Sequence, residues 1–138
     1  MGAGPGNIPR QVSIETVMTT REITLSNFDD TIKEGGIVLL DFWAAWCGPC
    51  RMFAPVFEKA AETHTDIVFG KIDTEAQQEL AGGFGIRSIP TLMAFRDGIM
   101  VFNQAGALPA QQLEQLIEAV EGLDMDQVRK EVAAAQAE

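Results

Sequence analysis

The stretch FWAAWCGPCRMF, residues 42 to 53, decides how the rest of the chain is interpreted, because it holds both cysteines of the protein. It overlaps the apolar run IVLLDFWA, residues 37 to 44, which predicts a central strand buried on both faces. From Pro49 to about Thr63, apolar residues recur at helical spacing on one broad stripe of Met52, Phe53, Val56, Phe57, Ala60 and Ala61. Pro55 inside this run predicts a kink. The cysteines therefore lie where a buried strand ends and a kinked helix begins.

Two cysteines separated by two residues fit a structural disulfide, half of a zinc site or a redox-active pair. Three residues at helical rise bring the Cα atoms of Cys47 and Cys50 to about 5 Å, which a disulfide can bridge. A zinc site needs four ligands, and beyond this pair the chain offers one histidine, His64, and carboxylates. A structural disulfide across so short a loop constrains the unfolded chain little. The spacing therefore favours the redox-active pair, with no metal bound.

The expected helix start gives the two cysteines different roles. Cys47 faces unpaired backbone N–H groups and the positive end of the helix dipole, which favour thiolate over thiol. Cys50 lies one turn further and faces the core, so we expect it to keep a higher pKa. Cys47 is then the nucleophile, and Cys50 attacks the mixed disulfide that Cys47 forms with a substrate.

The remaining pattern alternates strands and helices. Gly35 and Gly36 end a first short helix, in which Ser26 and Asp29 resemble a capping pair. The expected strands outside 37 to 44 are REITL (21–25), DIVFGKID (66–73) and a hairpin of TLMAF (91–95) and IMVFNQ (99–104) joined by RDG (96–98). The order predicts an α/β domain with a mixed central sheet flanked by helices on both faces.

Composition and charge exclude several classes of function. The net charge of −10 argues against binding to nucleic acid, because phosphate neutralisation needs clustered lysine and arginine. An anionic membrane surface would repel the chain, and no stretch approaches the roughly 18 apolar residues of a membrane span. The first residues lack the basic start and apolar run of a secretory signal. We therefore expect a cytoplasmic monomer.

The two ends differ in composition from the middle. Residues 1–20 are rich in glycine and proline and predict a mobile extension before a domain at 21–121. Residues 122–138 carry a weak helical stripe at Met125, Val128 and Val132. For this C-terminal extension a loosely docked helix is favoured over an element that binds a partner.

The segments DFWAAWCGPC, KID, FGIRSIPTLMAF, DG and GAL occur in an order that resembles the thioredoxin family over residues 21–121. The resemblance implies the thioredoxin fold and the reduction of protein disulfides, with Cys47 attacking and Cys50 resolving. It also implies no bound cofactor, since electrons would come from NADPH through a separate thioredoxin reductase. The Gly48–Pro49 dipeptide is the one found in strongly reducing members.

The same resemblance assigns roles to three residues outside the dithiol. Asp41 matches a buried aspartate that would accept the proton of Cys50, and its apolar neighbours in sequence predict a raised pKa. The alternative is an aspartate satisfied by backbone donors. Lys71 matches a lysine that modulates Asp41, with an ordinary surface lysine as the alternative. Pro90 matches a cis-proline beside the dithiol, with a trans-proline that opens a strand as the alternative.

The resemblance further implies a flat apolar rim that receives substrates around Cys47. Its residues are Trp46, Gly48, Pro49, Ile89, Ala105, Gly106 and Ala107. An ordinary core tryptophan is the alternative for Trp46. A second hypothesis for the whole chain is a binding module that uses the fold as a scaffold, with the dithiol incidental.

Overall fold

A computed structural model describes residues 19–137 of the chain, so most of the expected extension 1–20 lies outside the described residues. The strands are β1 (Thr20–Glu22), β2 (Ile37–Trp43), β3 (Val68–Asp73), β4 (Thr91–Arg96) and β5 (Ile99–Ala105). The helices are α1 (Phe28–Lys33), α2 (Gly48–Thr63), α3 (Gln78–Gly83), α4 (Ala110–Glu121) and α5 (Met125–Ala137).

The five strands form one mixed sheet in the order β1-β3-β2-β4-β5. Strands β1, β3 and β2 pair in parallel, whereas β4 pairs antiparallel with β2 and with β5. In the β4–β5 turn, Asp97 and Gly98 have φ angles of 54° and 84°, as the right-handed twist of a tight hairpin requires. The predicted mixed sheet is therefore confirmed, and β2 lies at its centre.

Apolar side chains cover both faces of this sheet. Leu39 of β2 belongs to a cluster with Phe53 and Phe57 of α2 and with residues of α4. Leu40, its neighbour in sequence, packs on the opposite face with Leu80 of α3. Because side chains alternate along a strand, Asp41 lies on the same face as Leu39, beneath the helix that carries the cysteines.

Helix α2 buries the expected apolar stripe except at Met52. Met52 belongs to the expected stripe but is 75% exposed, whereas Cys50, Phe53 and Phe57 face the core. Period alone cannot select among adjacent apolar positions, so packing against the sheet decides the rotation. Helix α2 runs from Gly48 to Thr63 with Pro55 inside it.

The start of α1 also corrects an expectation. The residue before the helix is Asn27, and no side chain caps the helix N-terminus. The side-chain oxygen of Asn27 instead accepts a hydrogen bond of 2.7 Å from the N–H of Thr24. The proposed pairing of Ser26 with Asp29 is therefore wrong, because Asn27 fixes the preceding turn in its place.

The last helix packs against the hairpin through both polar and apolar groups. Met125 is buried at its start, and Arg129 lies 3.9 Å from Asp97 in the β4–β5 turn. At the end of β4, the guanidinium of Arg96 donates to the carbonyl oxygens of Val120, Glu121 and Leu123 at 2.8 to 3.1 Å. These bonds join the end of β4 to the C-terminal end of α4 and add to the bond that the Val120 carbonyl accepts from the Leu123 N–H.

Candidate active site

Cys47 and Cys50 form a disulfide at the start of α2, with Cα atoms 5.2 Å apart. Cys47 is the residue before the helix and has extended backbone angles, while Cys50 lies in the first turn. Pro49 also lies in that turn, where its missing N–H removes no helical hydrogen bond. Both cysteines are buried, with 4% and 2% of their surfaces exposed.

The helix start directs a hydrogen-bond donor at the outer sulfur. The N–H of Cys50 donates to Sγ of Cys47 over 3.2 Å. A second contact fixes the preceding loop, since Arg51 Nη1 donates to the carbonyl oxygen of Ala45 at 2.9 Å. When the disulfide opens, this arrangement stabilises a thiolate at Cys47, because the donor and the helix dipole are already in place.

Residues far apart in the chain meet beside the disulfide. Ile89 packs against Cys47 and Cys50, and its carbonyl oxygen lies 3.6 Å from Cys47 Sγ. The peptide bond between Ile89 and Pro90 is cis. The N–H of Gly106 donates to the carbonyl oxygen of Pro90 at 2.8 Å, which brings residues 105–107 to the same side. The fold therefore brings Ile89 to Cys47 and holds Gly106 against the neighbouring Pro90.

Trp46 lies on the surface and is 68% exposed, so the structure does not support an ordinary core tryptophan. Together with Ile89 it lines a cleft of about 360 Å³. Polar residues also line this cleft, among them Glu75, Gln78 and Arg87. No sequence motif marks these polar residues, because they meet Trp46 only in the folded chain.

Asp41 is completely buried in the centre of the sheet. Neither oxygen of its carboxylate has a hydrogen-bond partner among the described residues, so backbone donors do not satisfy it. Burial raises the pKa of Asp41 from its ordinary value of 3.8 to about 7, and the charge of Lys71 opposes this rise. A carboxyl group with this pKa can accept and release a proton near neutral pH.

Lys71 lies next to Asp41 in the register of the parallel strands β2 and β3. Its Nζ is 3.8 Å from Glu58 Oε2 and 5.0 Å from the centre of the Trp43 ring. Only 19% of the Lys71 side chain is exposed, in contrast to an ordinary surface lysine. Its ammonium group is thus held between an aromatic face and a carboxylate.

His64 takes part in a contact between two helices. Its Nε2 lies 2.8 Å from Glu114 Oε1, which joins the end of α2 to α4. Within residues 19–137 no three histidine, cysteine or acidic side chains are grouped as a metal site would require. In the same range, no helix combines the length and the apolar character needed to cross a membrane.

The site combines a disulfide at a helix N-terminus with the exposed side chain of Trp46 and with a buried carboxyl group whose pKa is raised to about 7. These features define the protein as a thiol–disulfide oxidoreductase. Comparison with known proteins narrows this class. The family model described as Thioredoxin matches residues 19–119, and the chain belongs to the thioredoxin family. It is accordingly a protein-disulfide reductase of that family.

Individual relatives agree with this assignment. A protein of Streptomyces coelicolor named "Putative thioredoxin 2" is 58% identical over 120 residues, which cover 87% of this chain and 90% of the relative. The thioredoxin of Alicyclobacillus acidocaldarius is 47% identical over 69% of this chain and 91% of its own length. Among solved structures, a mutant thioredoxin from Halobacterium salinarum has a TM-score of 0.70 and 38% identity, with 77% of this chain and 95% of the other covered.

Proposed function

We propose that this oxidoreductase transfers electrons from its dithiol to disulfides of protein substrates, with Cys47 as the attacking and Cys50 as the resolving cysteine. The hydrogen bond from the Cys50 N–H to Cys47 Sγ is the observation that carries this order. It stabilises negative charge on Cys47 and not on Cys50.

The first step forms a mixed disulfide. The Cys47 thiolate attacks one sulfur of the substrate, a bond forms between these two sulfurs, and the substrate S–S bond breaks. The other substrate sulfur leaves as a thiolate and takes a proton from solvent. The exposed surface formed by Trp46, Gly48, Pro49, Ile89 and residues 105–107 receives the substrate chain in this step.

The second step releases the substrate. The carboxylate of Asp41 accepts the thiol proton of Cys50, directly or through a water molecule, and the Cys50 thiolate then attacks Cys47 Sγ. The bond between Cys47 and the substrate breaks, the second substrate sulfur leaves with the electron pair, and the Cys47–Cys50 disulfide forms. The substrate has then gained two electrons, and its former disulfide has become two thiols.

The reverse exchange with a reductant regenerates the dithiol. A separate thioredoxin reductase that uses NADPH supplies the electrons, in keeping with the family, and the chain itself binds no cofactor. We place this cycle in the cytoplasm, with a monomer as the active form. The cytoplasm is a reducing compartment, and the dithiol must be returned to its reduced state after each cycle.

The reduction of insulin disulfides with NADPH and a bacterial thioredoxin reductase tests this function. The wild-type protein is expected to turn over repeatedly, whereas Cys47→Ser is expected to leave only the background rate. A folded Cys47→Ser variant that reduces insulin as fast as the wild type would instead favour the binding-module hypothesis, in which the dithiol is incidental.

A further inference from the structure

A cavity of about 260 Å³ lies on the α2 side of the sheet, beside Trp43. Its charged lining consists of Arg21 and Glu22 of β1, Glu58 of α2, and Lys71 and Asp73 of β3. The cavity can hold several water molecules, since each occupies about 30 Å³ in the liquid. It therefore gives water access to the surroundings of Lys71, the neighbour of Asp41 on the adjacent strand.

Two of these charged groups have partners of their own. Arg21 forms an ion pair of 3.1 Å with Glu34. The carboxylate of Asp73 accepts backbone N–H groups of Glu75 and Ala76 at 2.9 and 3.3 Å. Neither group is committed to Lys71.

The two remaining carboxylates approach Lys71 from different directions. Glu22 is next to Lys71 in the register of β1 and β3, on the side opposite Asp41. Glu58 approaches from the helix above, and among the described residues it is the one carboxylate within 4 Å of the ammonium nitrogen. Lys71 thus has a buried carboxyl group on one side and the partly exposed Glu58 towards the solvent.

We propose that Glu58 is a positioning residue, which holds the Lys71 ammonium towards the mouth of the cavity and so weakens the attraction of this ammonium for the Asp41 carboxylate. A lysine with no competing partner would favour an ionised Asp41 more strongly, because opposite charges in a partly buried site interact strongly. With Glu58 in place, Asp41 retains its proton to higher pH. The proposal rests on the role of Asp41 in the proposed function and extends it to a residue on the helix surface.

The test measures the titration of the Asp41 carboxyl carbon by ¹³C NMR in the oxidised protein. Glu58→Gln is expected to lower the pKa of Asp41 by about 0.5, the order expected for one charge at this range. Glu62→Gln makes the same charge change one turn along α2 at another exposed position and is expected to leave the titration within about 0.1 of the wild type. The pH profile of disulfide reduction is expected to move to lower pH with Glu58→Gln.

Repeating the measurement in a Lys71→Met variant distinguishes positioning of Lys71 from a direct effect of the Glu58 charge on the pKa of Asp41. In Lys71→Met, the substitution Glu58→Gln is expected to produce less than half of its shift, because there is no ammonium left to position. An equal shift with and without Lys71 overturns the proposal, as does a shift with Glu22→Gln but none with Glu58→Gln. The role of Asp41 in the proposed function fails separately, if Asp41→Asn reduces substrates at the wild-type rate, since the NMR titration does not depend on activity.

Discussion

Asp41 and Lys71 lie side by side on adjacent parallel strands, yet the carboxylate of Asp41 has no hydrogen-bond partner among the described residues. The neighbouring ammonium does not compensate for burial, since the pKa of Asp41 is raised to about 7. The ammonium of Lys71 instead lies against Trp43 and Glu58. The sheet thus keeps a titratable carboxyl group beneath the disulfide at the expense of stability, a combination found at catalytic sites.

Replacing Asp41 by asparagine is expected to stabilise the protein at neutral and alkaline pH. The folded protein retains a proton on Asp41 up to about pH 7, whereas the unfolded chain releases it near the ordinary pKa of 3.8. Because the folded state binds more protons in this interval, wild-type stability falls as pH rises through it. The advantage of Asp41→Asn should grow from almost nothing at pH 4 to at most about 4 kcal/mol at pH 8.

Urea unfolding of both proteins at pH 4, 6 and 8 measures this difference. Asp66→Asn removes a carboxylate at an exposed position and serves as the control, with no comparable gain expected. If Asp41→Asn were equally stabilised at pH 4 and pH 8, the gain would not come from ionisation. The same variant is also expected to slow disulfide reduction, since its amide cannot accept the proton of Cys50.

Cys50→Ser is expected to accumulate substrates as mixed disulfides on Cys47. The attacking sulfur and its hydrogen-bond donor remain, but the group that would release the substrate is gone. Incubation of the reduced variant with a lysate whose proteins carry disulfides, followed by gel electrophoresis without reductant, detects such adducts. Cys47→Ser is the matched control and should trap none, because the N–H of Cys50 stabilises a thiolate on Cys47 and not on Cys50. Comparable trapping by Cys47→Ser would reverse the assigned order.

Trp46→Ala is expected to raise the KM for protein disulfides about tenfold, as removal of an exposed aromatic contact often does. Trp46 is 68% exposed and lines the cleft with Ile89, so its loss removes substrate contact and little of the core. Rates with a small aromatic disulfide should change less than twofold. Met100→Ala removes an exposed apolar side chain elsewhere, from β5, and should change neither. An unchanged KM for insulin with Trp46→Ala contradicts the assigned surface.

Gly70→Ala is expected to destabilise the fold by about 1–3 kcal/mol through overpacking. A Cβ at this position of β3 would lie 2.5 Å from Ile23 and 2.9 Å from Leu40, both of which are buried. Gly83→Ala in α3 is the control, since its Cβ would meet nothing within 4 Å, and alanine favours a helix. Chemical denaturation should therefore show opposite signs for the two variants, and a neutral Gly70→Ala would show that this part of the core yields.

The sheet and the position of the dithiol could be predicted because they depend on local patterns. Continuous burial of β2, the Asp97–Gly98 turn and the helix start at Cys47 are each encoded within a few residues. The exposure of Met52 on α2 could not be predicted in the same way. Met52 and Phe53 are both apolar, and only the shape of the sheet beneath the helix selects Phe53 for the core.

The sequence by itself determined the chemistry of this protein. It places two thiols three residues apart at a helix start, and a carboxyl group, that of Asp41, in the strand that precedes them. The tertiary structure decided what surrounds that chemistry. Ile89 packs against Cys47, and Glu58 lies close to Lys71, although neither pair is related by the periodicity of one helix or one strand. Burial without a hydrogen-bond partner likewise exists only after packing, and for this reason the raised pKa of Asp41 is a property of the fold.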